Sequence, residues 1–158
     1  MKGNGKMSWL KKNDLLDGKI VFVNASEHAQ GNTHRIGQRL LSGKDFSQLD
    51  LVNYKIYQIG QNYADDQFNE VLAKLKEADT IILGTPVYWS NMSGYLKTFV
   101  DHMQINNDLS GADLYLIVQG SDQDQSKAIA STYGTFDRIA RRFKLNFVGI
   151  AQTDKQVT

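Results

Sequence analysis

Three short polar stretches hold the side chains able to do chemistry. In the first, Ser26-Glu27-His28-Ala29-Gln30-Gly31-Asn32-Thr33, two hydroxyls, an amide and an imidazole surround a single glycine. Placed just before a helix, such a set suits an anion, because the free N–H groups and the positive dipole end of the helix face the loop. The same residues also suit ordinary capping by Asn32 or Thr33, and residue type alone leaves both open. The second stretch, Gly84-Thr85-Pro86-Val87-Tyr88-Trp89-Ser90-Asn91-Met92-Ser93-Gly94, sets two large aromatics beside a stiffening proline. Flat apolar rings next to unpaired backbone N–H groups suit a planar, hydrogen-bonding heterocycle. They would equally cover the end of a sheet or a subunit interface. The third stretch is Gln119-Gly120-Ser121.

Several other chemistries are excluded. With one glycine, the first loop is no Gly-x-Gly-x-x-Gly dinucleotide turn, and Lys6 of Gly3-Asn4-Gly5-Lys6 is followed by Met7, not Ser or Thr, so it is no P-loop. His28 and His34 lack a serine-and-acid partner or a metal-ligand cluster, and read as surface hydrogen-bonders. His28 is also able to donate to a phosphate. His102, ending its helix, reads as a dipole partner. A chain with no cysteine has no disulfide, thiolate zinc site, cysteine-ligated iron–sulfur cluster or cysteine nucleophile, so any redox role needs a bound cofactor. Eighteen basic against seventeen acidic side chains leave +1, no footprint for nucleic acid or an anionic membrane. No apolar run approaches the roughly 20 residues that span a bilayer. The expectation is a soluble protein of a reducing cytoplasm, with a small-molecule partner.

These stretches need elements to position them. At 158 residues and 41% hydrophobic, the chain suits one packed core. Residues 1–18 read as an irregular leader, with Trp9 as a docking side chain, and 19–158 as a single domain. The apolar run Ile20-Val21-Phe22-Val23 predicts a strand buried on both faces. Ile36, Leu40 and Leu41 predict a helix closed by Gly43. Leu49 and Leu51 predict a second strand. Phe68, Val71, Leu72 and Leu75 have amphipathic spacing behind Asp65 and Asp66, which sit where a cap belongs. Thr80 to Gly84 predicts the third strand, Thr85 to Asn91 a loop, and Leu96 to Met103 a helix. Leu114 to Val118 predicts a fourth strand. Ile129 to Phe143 predicts a long helix, and Phe147 to Ile150 a fifth strand. Alternating strands and helices require a parallel sheet with helices on both faces, in the doubly wound order 2-1-3-4-5. The ligand crevice then lies beyond the carboxyl ends of the strands, where all three polar stretches fall.

Ala25-Ser26-x-x-x-x-Gly31-Asn32-Thr33, followed by the block from Gly84 to Asp101 with its Gly-Thr-Pro-Val-Tyr-Trp core, Met-Ser-Gly and Leu-Lys, resembles the NADPH-dependent FMN reductase family of flavodoxin-like proteins. The resemblance implies a flavodoxin-like three-layer fold, FMN as cofactor, NADH or NADPH as co-substrate, and a homodimer. It implies that Ser26, Asn32 and Thr33 bind the phosphate, with His28 where many relatives carry arginine. Pro86, Val87, Tyr88, Trp89, Asn91 and Met92 would lie along the isoalloxazine and ribityl chain, and Gly120 and Ser121 on the other side of the ring. His28 removes a fixed charge from the phosphate loop and Glu27 adds an opposing one.

The implied function is an FMN-dependent NAD(P)H oxidoreductase acting on a quinone, nitro or azo compound, or free flavin. Hydride transfer is flavin chemistry, so no protein acid or base is assigned as catalytic. The alternative is a flavodoxin-type FMN electron carrier without turnover of its own. In that family such carriers tend to be strongly acidic, and the near-neutral charge here argues against one. A response-regulator receiver would need an aspartate where Gly84-Thr85-Pro86 stands. A low-molecular-weight tyrosine phosphatase would need a cysteine. A scaffold that has kept the fold and lost the flavin is the remaining reading.

Overall fold

The computed structural model describes residues 18–120 and 122–151. The leader and Trp9 lie outside the described residues, apart from Gly18. The five predicted strands pair in parallel as β1 (Ile20–Asn24), β2 (Ser47–Asp50), β3 (Thr80–Tyr88), β5 (Asp113–Gln119) and β6 (Asn146–Ala151). A two-residue strand, β4 (Asn91–Met92), lies off the main path. The order β2-β1-β3-β5-β6 is 2-1-3-4-5 when the parallel strands alone are counted, as expected. The intervening helices are α1 (Asn32–Leu40), α2 (Phe68–Lys76), α3 (Gly94–Asp101) and α4 (Asp122–Phe143).

The pleat divides the core into two. Val21, Val23, Ile81, Leu83, Leu114 and Leu116 face α2, α3 and α4, while Ile20, Phe22, Ile82, Tyr115 and Ile117 face α1. A strand buried on both faces must be apolar throughout, which is why these runs are continuous rather than alternating. Close approach by α1 depends on two glycines. A Cβ at Gly37 would stand 2.3 Å from the Phe22 ring, and one at Gly84 would stand 2.7 Å from Thr33 Cγ2. The first turn of α1 is thereby pressed onto β3, directly over the point where β1 ends.

Two expectations change. Leu51, read as strand, opens a short 3-10 turn (Leu51–Asn53) after β2. The segment from Thr85, read as a loop, continues β3 to Tyr88 and then turns back as β4. The cause is the length of β5, which offers Val118 and Gln119 as partners to Thr85 and Pro86. Pro86 is tolerated because Gly84 bonds Ala25 through its carbonyl on the β1 side, and Pro86, two residues on, points its nitrogen the same way, past the last residue of β1.

Candidate functional site

The exit of β1 is organised by Asn24, a buried amide. Its Oδ1 accepts the Ser26 N–H at 3.3 Å, and its Nδ2 donates to Asp50 Oδ1 at 3.1 Å and to the Ala29 carbonyl at 3.3 Å. Gln48 donates to the same Asp50 oxygen at 2.8 Å and pairs through Oε1 with His34 Nδ1 at 2.9 Å. His34 therefore braces the underside of the loop. Ser26 Oγ accepts the His28 N–H at 3.0 Å, closing a small turn that leaves the Glu27 and His28 side chains exposed, 3.5 Å apart.

Capping does not explain the polar residues at the start of α1. The cap position is Gly31, and among the described residues no side chain caps the helix. Thr33 is only 1% exposed, yet its Oγ1 has no hydrogen-bond partner among the described residues. A buried hydroxyl left unpaired costs roughly 1–3 kcal/mol, so an orphan here, beside helix N–H groups that α1 cannot itself satisfy, points to a bound acceptor. Asn32 accepts from the Arg35 guanidinium, one turn further along α1. Arg35 thus sets a positive charge beside Asn32, a neighbour the residue types of the loop did not single out. Its signal was the i, i+3 spacing from Asn32, which places both side chains on one face.

The exits of β1 and β3 are locked together by a second buried knot. Ser93 Oγ donates to the Ala25 carbonyl at 2.7 Å and accepts the Leu96 N–H at 3.2 Å, capping α3. The Ser93 N–H donates to Thr85 Oγ1 at 2.9 Å, and that hydroxyl donates to the Pro86 carbonyl at 2.8 Å. The aromatic stretch is thus fixed to the first loop through side chains that are less than 2% exposed.

At the tip of the hairpin Trp89 and Ser90 have φ of +51° and +60°. Two positive φ values between Tyr88 and Asn91, which face each other across the pair, are what a two-residue type I′ turn demands. Asn-Gly meets that demand without penalty. A bulky side chain held there costs on the order of 1–3 kcal/mol. Trp89 is 97% exposed and covers no part of the sheet. Tyr88 instead leans back toward the first loop, its hydroxyl near Ser26 and the Glu27 backbone. Burial, and after it the Glu27 carboxylate, holds that phenol above the ordinary tyrosine value, so it stays protonated at neutral pH.

The remaining predicted residues divide into two groups. Pro86 is buried within β3, and Met92 is buried in the core with its N–H taken by Asn91 Oδ1 at 2.9 Å. Asn91 also accepts from Ser131 of α4 at 3.2 Å. Val87 fills the space beside Gly120, where a Cβ would stand 2.6 Å from Val87 Cβ. Ser121 lies outside the described residues. Ser26, Thr33 and Tyr88 are therefore drawn together at one end of the sheet, whereas the Trp89 side chain stands clear in solvent. His102, read as a dipole partner, does more: its Nε2 bonds the Tyr57 carbonyl at 2.5 Å and its ring stacks on Phe68.

Known proteins resemble this chain in sequence and share its fold. The profile of the NADPH-dependent FMN reductase family matches residues 18–137. The sequence is 25% identical over 149 residues, 83% of this chain and 82% of the relative, to YwqN of Bacillus subtilis, described as a NAD(P)H-dependent FMN-containing oxidoreductase. It is 30% identical over 115 residues, 60% of each chain, to the iron-sulfur flavoprotein MJ1083 of Methanocaldococcus jannaschii. The fold is shared with the Trp repressor binding protein from Bacillus subtilis, at a TM-score of 0.69 and 23% identity over 85% of both chains. It is also shared with an FMN-dependent NADH-azoreductase from Bacillus anthracis solved in complex with FMN, at a TM-score of 0.65 and 14% identity over 89% of this chain and 90% of that one.

Proposed function

The chain belongs to the NADPH-dependent FMN reductase family, and from that premise we propose that it oxidises NADH or NADPH and reduces a small acceptor, with FMN as its cofactor. The acceptor is a quinone, a nitro or azo compound, or free flavin. The observation that carries the cofactor assignment is the unpaired, buried Thr33 hydroxyl beside the open N-terminus of α1. A phosphate seated there would satisfy it together with helix N–H groups, and the dipole end of α1 would favour the charge. Ser26, His28 and Asn32 border the same seat, with Arg35 adding positive charge from the next turn. Pro86, Val87, Tyr88, Trp89, Asn91 and Met92 would border the ring and ribityl chain, and Gly120 and Ser121 would face the ring from the third loop.

When bound, FMN supplies the hydride chemistry, so this chain's residues have to hold and orient. The Ser93 knot fixes the hairpin against the exit of β1, giving the reacting partners a constant geometry. Tyr88 keeps its proton and so can donate, while Trp89 offers an apolar face that either a nicotinamide or a second subunit would cover. We assign the protein to a homodimer on that exposed tryptophan and on the family resemblance.

The test is direct. Purified protein incubated with FMN is expected to bind it, with quenching of the flavin fluorescence, and to oxidise NADPH or NADH steadily once menadione or a nitroaromatic is added. Binding without turnover on any acceptor would make the protein a carrier, and failure to bind FMN would remove the cofactor assignment.

A further inference from the structure

A second cleft lies behind Tyr88, between the chain that follows β2 and the start of α3. It encloses about 530 Å³, within the roughly 300–1,000 Å³ of small-molecule sites. Four of its walls are tyrosines: Tyr54, Tyr57, Tyr88 and Tyr95. Three of those hydroxyls are directed elsewhere. Tyr54 accepts from Lys74 Nζ at 3.2 Å, Tyr57 donates to Asp65 at 3.1 Å, and the Tyr88 hydroxyl lies toward Ser26 and Glu27 of the first loop. What these three residues have left to offer the cleft is mainly aromatic carbon. Polar groups enter through Gln58, Gln61 and Thr98, and among the described residues no acidic, basic or histidine side chain lines the space.

The wall is also built in advance. Lys55 N–H donates to Gln67 Oε1 at 2.8 Å, and Gln67 N–H returns to the Lys55 carbonyl at 2.7 Å. Tyr57 N–H donates to Asp66 Oδ2 at 2.9 Å, and His102 secures the Tyr57 carbonyl. The cap position of α2 is Gln67 and not Asp65 or Asp66 as expected, but Asp66 accepts the Phe68 N–H at 2.8 Å and so anchors both the helix and the loop before it. A loop clamped at both ends spares a ligand the cost of ordering it.

We propose that this cleft is a binding site for a flat, uncharged aromatic molecule, which would lie among Tyr54, Tyr57 and Tyr95 with Tyr88 separating it from the phosphate seat. Offset and edge-to-face packing of rings supplies the affinity, and the two glutamine amides can take a hydroxyl or carbonyl on the ligand. Neutrality follows from the lining. A carboxylate would enter with amide and hydroxyl donors but no cationic partner, and with Asp65 close behind Tyr57. A cation would meet a Tyr54 ring that already carries the Lys74 ammonium 5.7 Å from its centroid.

The site is independent of the cofactor reading, and one experiment separates the two. Naphthol is titrated into the full chain, with and without saturating FMN, while backbone amide shifts are followed by NMR. Shifts clustered on residues 54–61 and 94–98 that persist with FMN are expected. Naphthoate and naphthylmethylammonium are expected to bind at least tenfold more weakly. Shifts confined to residues 26–33, or abolished by FMN, would overturn the site, as would equal binding of the charged probes. Naphthol binding in the cleft without any FMN binding would instead sink the cofactor reading alone. A Cβ at Gly94 meets no atom within 4 Å, so Gly94→Phe has room at the cleft wall. It is expected to weaken naphthol tenfold or more, and unchanged affinity would refute the location. Should that variant not fold, the wild-type shift map decides.

Discussion

Replacing Thr33 with valine separates a ligand-binding hydroxyl from a structural one, because the two roles predict opposite signs. Thr33 Cγ2 packs against Gly84, and the unpaired Oγ1 is the only atom exchanged for a methyl of nearly the same shape. In the ligand-free protein an orphaned hydroxyl costs about 1–3 kcal/mol, so Thr33→Val should raise stability by about 1 kcal/mol or more. Helix propensity barely differs between the two residues, so the shift reports the hydroxyl. With FMN the same exchange deletes a hydrogen bond to a charged phosphate, a loss of about 1.5–3 kcal/mol, or roughly 10- to 150-fold in Kd. At an FMN concentration one hundred times the wild-type Kd, binding adds about 2.7 kcal/mol to the wild type. A variant thirtyfold weaker would gain only about 0.9 kcal/mol at the same concentration. Urea unfolding with and without FMN, paired with a fluorescence titration, should therefore show the order of stability narrowing or reversing. A variant less stable than wild type without ligand, and equal in FMN affinity, would show that the hydroxyl finds a partner within the protein and that no phosphate sits there.

Three further outcomes are expected. Ser93→Ala removes the cap of α3 and leaves the Ala25 carbonyl unpaired in the interior, so stability should fall by about 2–4 kcal/mol, seen as a lower urea midpoint at unchanged slope. Replacing Trp89 by Asn and Ser90 by Gly gives the hairpin the residues its φ values favour and should stabilise by about 1–2 kcal/mol. Turnover should fall in that variant if Trp89 faces substrate or partner, and a loss of stability would mean the turn is not type I′. The Tyr57 hydroxyl bond, and after it the bond from Lys55, holds the Asp65 carboxyl below the usual carboxylate range. Its contribution is then complete above the ordinary aspartate value of about 4 and lost as pH falls through the lower folded value. Asp65→Asn should flatten the stability profile in that acid window, and an unchanged profile would show that the pair contributes nothing.

Much of the fold was legible because a doubly wound sheet is written in local signals. Ile20 to Val23, Ile81 to Leu83 and Leu114 to Val118 are apolar without interruption, since each strand is buried on both faces, and the spacing of Phe68, Val71 and Leu75 fixes the inward face of α2. Those runs and the three polar stretches between them determine the architecture and the end of the sheet where chemistry belongs, and the absence of cysteine means that any redox role needs a cofactor. Other features depended on neighbours distant in sequence. Pro86 extends a strand only because β5 reaches Gln119 while β1 stops at Asn24, and the turn at Trp89 forms only once Met92 has a partner in Val87. Thr33 looks like a cap until helix packing on Gly84 buries it without a bond. The tyrosine cleft joins residues more than thirty positions apart, from Tyr54 to Tyr95, and nothing periodic links them. Periodicity reports which face of an element is dry. Which polar atom ends up unpaired, and which rings share a wall, is set by the three-dimensional approach of whole elements.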